Sequence, residues 1–108
     1  MTSPLNAAPL KPEDCNTMQE VRAGVNAVDA RLVALLAERF GYMAAAARIK
    51  PERDMVRDEP RKAEVIAQAV AQAEALGMPG NVIGEMWETL VEGSIAYEMA
   101  RFDALSKD

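Results

Sequence analysis

A chain of 108 residues is one domain near the lower limit of what supports a core unaided, because small folds bury a smaller share of their surface. Its net charge of -5, from Lys+Arg 12 against Asp+Glu 17, leaves no electrostatic footprint for nucleic acid or an anionic membrane, so any anion site must be local. The single Cys15 rules out an intrachain disulfide, and the lack of histidine removes His-based triads and the usual zinc ligand set, leaving Arg, Lys, Asp, Glu, Ser and Tyr to carry any chemistry.

The first stretch, "MTSPLNAAPLKPEDCN", holds Pro4, Pro9 and Pro12 and reads as a loose tail over residues 1–15, with the helical domain over 16–108. It lacks the apolar run of a signal peptide, and no stretch approaches membrane-spanning length, so the expectation is a soluble cytoplasmic protein. A long first helix then starts at Thr17, which forms a capping-box pattern with Glu20, and ends at Pro51. Val21, Val25, Val28, Leu32, Leu35, Arg39, Tyr42, Ala46 and Ile49 alternate steps of four and three, the pattern of a helix face or coiled-coil seam. About 33 residues make a rod of roughly 50 Å, whereas a compact chain of this size is roughly 35 Å across. The apolar stripe on an overhanging rod needs covering, and an intertwined homodimer of antiparallel first helices would cover it.

After a charged connection, "PERDMVRDEPR", Asp58 is the candidate cap of a second helix over about 59–76 whose inner face is Val65, Ile66, Ala69, Val70 and Ala73. Gly77 and Pro79 stop it. A third helix from about Asn81 to 105 carries an inner stripe of Ile83, Met86, Trp87, Leu90, Val91, Ser94, Ile95 and Glu98. No hairpin signal interrupts this series, so the fold class is all-α, a three-helix protomer.

Polar residues on these inner faces are the candidate site. Arg39 and Lys50 differ by 11 positions, so on a helix they point within about 20° of each other and stand roughly 16 Å apart, a gap two long side chains can narrow. Arg22 lies roughly 25 Å from Arg39, too far to join it from the same chain but within reach across an antiparallel dimer. Taken singly, each has an ordinary reading: seam arginines snorkel or pair on the surface, Lys50 complements a helix C-terminus, Asp58 caps and Arg61 is an exposed first-turn residue. Ser94 and Glu98, one turn apart, extend an apolar stripe with polar groups, which is harder to dismiss. A buried carboxyl lacking a strong partner favours its protonated form, which donates a hydrogen bond.

The ordered set of Arg22, "AVDARLVALLAER" ending at Arg39, Lys50, "VRDEPR" with Asp58 and Arg61, and "VEGSIAYE" with Ser94 and Glu98 resembles the all-helical chorismate mutase family over about residues 17–102. No single piece is specific; their order and spacing are. The resemblance implies an intertwined homodimer with two active sites, a small dicarboxylate substrate, and no cofactor or metal. In it Arg22 would be lent across the interface to one substrate carboxylate and Arg39 would bind the other, with Arg61 nearby. Lys50 would donate to the ether oxygen of the breaking C–O bond, Glu98 would flank that oxygen, and Asp58 and Ser94 would line the site. Such a Claisen rearrangement needs a flexible dianion held in a chair-like conformer and donors aimed at the oxygen where charge develops.

Two positions depart from the family pattern. Lys62 stands where many mutases have a glutamate that contacts the substrate hydroxyl, and Glu98 where glutamine is frequent. An ionised Glu98 would repel a dianion, so the expectation is that it works protonated and that activity declines as pH rises. The isochorismate-pyruvate lyases, which share nearly the same pocket, are also resembled through "KPEDC" and the missing glutamate, whereas Ser94 and Glu98 look more like the mutase branch. The mutase is the favoured reading, the lyase its alternative, and a catalytically inactive dimerisation or regulatory module the third.

Overall fold

The computed structural model describes residues 9–105. The regular structure within them consists of three α-helices, α1 (Met18–Ile49), α2 (Glu59–Ala75) and α3 (Gly80–Ala104), and two 3-10 turns at Pro12–Asp14 and Arg53–Met55. The all-α class and the order of helices are as expected from the sequence. Of the expected tail, residues 1–8 lie outside the described residues; within its remainder Pro12 opens a short turn where the proline content predicts no regular structure. The chain divides into two compact units, one ending at Arg39 and the other starting at Phe40, with the boundary inside α1.

In the N-terminal unit, the capping box forms as the sequence prescribes. The Thr17 hydroxyl accepts from the Glu20 N–H at 3.1 Å, and the Glu20 carboxylate accepts from the Thr17 and Asn16 N–H groups at 3.0 and 2.9 Å. These bonds, the one from Asn16 first, pull the Glu20 carboxyl below its ordinary value. The first half of α1 carries an uncovered apolar series: Val21, Val25, Val28, Leu32 and Leu35 are 39–60% exposed.

In the C-terminal unit, α2 packs on α3. Ala69 and Ala73 are buried on α2, and a Cβ added at Gly84 of α3 would come 3.3 Å from a Val70 methyl, so small residues set a close approach. A second cluster joins the end of α1 to α3: Ala47, Val56 and Phe102 are buried there, with Ile95 and Met99 packed against them. The Phe40 and Tyr97 rings meet edge-to-face at 5.1 Å.

The inner face of α1 in this unit differs from the expected seam. Ala47 is buried and Phe40 and Met43 half-buried, whereas Tyr42 and Ile49 are 67% and 71% exposed. A strict alternation of threes and fours has a period of 3.5, which slips by about 20° per heptad on a straight helix, hence about 80° between Val21 and Ile49. On α3, Met86 is also exposed rather than inward.

The α2 C-terminus closes as a Schellman motif. Gly77 takes φ 79°, its N–H donates to Glu74 O at 3.0 Å, and the Met78 N–H donates to Ala73 O at 2.8 Å. Gly77→Ala keeps both bonds but forces a Cβ into left-handed backbone, so it is expected to lower stability by about 1 kcal/mol, read as a lower urea midpoint at unchanged m-value.

Candidate active site

Lys50 follows the last residue of α1, its N–H donating to Ala46 O at 2.9 Å, so its ammonium emerges at the helix's negative end. Glu98 lies on the buried stripe of α3 with Val91, Ser94 and Phe102. The two meet: Lys50 Nζ is 2.7 Å from Glu98 Oε2, with side chains 29% and 5% exposed. Glu98 Oε2 is close to that cation yet meets no donor in hydrogen-bond alignment, so the contact is an ion pair. Ser94, one turn earlier, is buried and donates to Leu90 O at 2.7 Å.

The expectation of a proton on Glu98 rested on a carboxyl lacking a strong partner, and Lys50 supplies one. An ammonium has three donors, and the ion pair with Glu98 is one of its interactions. The buried face of α3 thus carries the Glu98 carboxyl with its Lys50 cation and, one turn earlier, the Ser94 hydroxyl.

Asp58 is the α2 cap, its carboxylate accepting from the Arg61 N–H at 3.0 Å. Arg61 is exposed and its guanidinium pairs with Glu64 on its own helix, so the structure joins neither to the Lys50–Glu98 pair. On α1 of the N-terminal unit, Arg22 is exposed and Arg39 half-buried.

Sequence reading missed the salt-bridged segment between α1 and α2. Arg53 holds Asp103 through 2.8 and 3.2 Å bonds. Arg57 holds Glu92 at 3.0 and 2.8 Å and Glu59 at 2.8 Å. Lys62, 16% exposed, donates to Glu88 at 2.7 Å and Glu92 at 2.8 Å. Hydrogen bonds from Arg57 and then Lys62 hold the Glu92 carboxyl down to about 2, and Glu88 followed by Glu92 pushes Lys62 up to about 12. Only the acidic pair Glu88 and Glu92, one turn apart, hinted at this; their partners are 26 to 35 residues away.

Because the folded Glu92 titrates near 2 and an unfolded one near 4.5, its stabilising effect is full above the unfolded value and is lost as pH falls through the folded one. The stability difference between the wild type and Glu92→Gln is therefore expected to be constant above pH 4.5 and to shrink between 4.5 and 2, measured by urea titration across that range.

No helix among the described residues is long and apolar enough to cross a membrane. The family model described as chorismate mutase type II matches residues 21–99. The chain is also similar to the isochorismate pyruvate lyase of Pseudomonas aeruginosa, 24% identical over 88 residues that cover 82% of this chain and 87% of the relative. The matched span contains every residue of the candidate site, from Arg22 through Lys50 to Glu98, and the chain belongs to the chorismate mutase type II family.

Proposed function

We propose that this chain rearranges chorismate to prephenate in a homodimer whose two sites each take Arg22 from the partner. The observation that carries the reading is the Lys50–Glu98 pair on a buried, Ser94-bearing face. In the rearrangement one C–O bond breaks as one C–C bond forms within the same molecule, and electron density moves onto the ether oxygen. Lys50 donates to that oxygen as its charge grows, and Glu98 fixes the direction of the ammonium. Arg39 and the partner's Arg22 each grip a carboxylate, which restrains the flexible dianion in its reactive conformer, while Arg61, Asp58 and Ser94 line the remainder. The dimer is supported by the uncovered series from Val21 to Leu35 and by a protomer core that is half alanine: Ala47, Ala69 and Ala73 beside Val56, Val91 and Phe102.

A second reading, elimination of pyruvate from isochorismate, is favoured by the likeness to the Pseudomonas lyase and by Lys62, which leaves no carboxylate at that position. Incubation with chorismate and with isochorismate separately decides between them. Prephenate from chorismate at catalytic rates is the expected result; salicylate and pyruvate from isochorismate with no prephenate from chorismate overturns it.

A further inference from the structure

Asp58 and Arg61 stand at the exposed start of α2, where a short helix end would ordinarily fray. The residues that bracket them in the chain, Arg57 before and Lys62 after, converge on one carboxylate, Glu92 of α3. Arg57 grips it with two guanidinium nitrogens, and Lys62 shares it with Glu88. Single exposed ion pairs contribute little, but a network with a two-pronged arginine and a largely covered lysine holds geometry as well as charge. Glu92 precedes Ser94 by two residues and Glu98 by six on the same helix. With about 100° per residue, Glu88 and Glu92 point roughly 80° and 120° away from Glu98, so this acidic flank lies beside the site wall rather than in it.

We propose that Glu92, held by Arg57 and Lys62, is a positioning residue: the clasp fixes Asp58 and Arg61 relative to Ser94 and Glu98, and Lys62 is engaged in it instead of reading the substrate's ring hydroxyl. This deepens the mutase reading and rests on it. A lysine ammonium donates and cannot accept, so it cannot take the hydrogen bond that a carboxylate at this position would accept from the hydroxyl, and two of its donors already face Glu88 and Glu92. Discrimination by the position of the ring hydroxyl is thus made elsewhere in the pocket. Loss of the clasp loosens the α2 start and weakens binding of chorismate and isochorismate alike.

The test uses Glu92→Gln, Lys62→Met and Lys62→Arg, with each compound assayed as substrate where it turns over and as competitive inhibitor where it does not. In Glu92→Gln and Lys62→Met, KM or Ki for both compounds is expected to rise by a common factor of about tenfold with a smaller change in kcat, and Lys62→Arg to stay within about threefold of wild type. A change of more than about tenfold in the chorismate-to-isochorismate ratio in Lys62→Met overturns the proposal, because position 62 then reads the hydroxyl. So does an unchanged KM for both compounds. Amide exchange supplies a readout that does not need turnover: in Glu92→Gln the Arg61 and Lys62 amides are expected to exchange about tenfold faster while those of Ala69 and Ala73 hold. If the wild type acts on neither compound, the mutase reading fails on its own, and unchanged exchange at Arg61 and Lys62 still overturns the clasp.

Discussion

Lys50→Met is expected to lower kcat on chorismate by about a hundred- to a thousandfold, the usual effect of removing one donor from an oxygen that gains charge in the transition state. KM should move much less, because in the proposed site arginines hold the carboxylates and the ether oxygen gains its charge only as the bond breaks. The substitution has a second effect that must be separated from the first. Glu98 is buried at 4% exposure and Lys50 is its cation at 2.7 Å. Stranding a buried carboxylate costs about 3–5 kcal/mol, an upper figure for a partner that retains some solvent contact. That is a large part of the stability of a small domain. The double variant Lys50→Met/Glu98→Gln removes the stranded charge together with the donor. Its thermal midpoint is expected to lie closer to wild type than that of Lys50→Met, while its kcat stays at least about a hundredfold down. A folded double variant with kcat within a few-fold of wild type would show that Lys50 serves the fold and not the reaction, which is also what an inactive dimerisation module predicts for any ligand-dependent behaviour.

The features legible in the sequence are those decided within a turn or two of chain. Thr17 with Glu20, Asp58 as a cap and Gly77 as a stop each depend on backbone groups a few residues away, and each forms as expected. The inner faces of α2 and most of α3 were legible because a short helix keeps its stripe in place, as Ala69, Ala73, Val91 and Ser94 do. α1 was misread in its second half for the converse reason: over 32 residues a 3.5 period and a 3.6 helix separate, and Phe40, Met43 and Ala47 take the place given to Tyr42 and Ile49. Side-chain partners across elements were out of reach of local spacing, although the family resemblance had already set Lys50 and Glu98 at one oxygen. Nothing local says that Glu98 finds Lys50, that Arg57 finds Glu92 or that Arg53 finds Asp103. Candidate site residues could therefore be placed on faces from spacing, whereas their charge environment could not. Glu98 was expected as a carboxyl without a strong partner and is instead half of an ion pair.

Arg22 provides the second large effect, and a mixing experiment isolates it. Arg22 and Arg39 are 17 positions apart on α1, roughly 25 Å along the axis, beyond what two side chains of one protomer can close around a small dianion. Arg22 adjoins Val21 on the uncovered series that the proposed partner would cover, so an interface that buried the valines would also deliver the guanidinium. Arg22→Ala and Lys50→Ala homodimers are each expected to be nearly inactive. When the two are co-refolded at equal amounts, one site of each heterodimer regains both an intact Lys50 and the partner's intact arginine, while the other site loses both. Random pairing makes half of the dimers mixed, so about a quarter of wild-type activity should return. An arginine acting within its own chain predicts no recovery, because each subunit then carries its own defect into its own site. Mixed dimers isolated with two different affinity tags and found no more active than the parents would therefore sink the shared site, and a monomer by sedimentation at assay concentrations would sink the dimer itself.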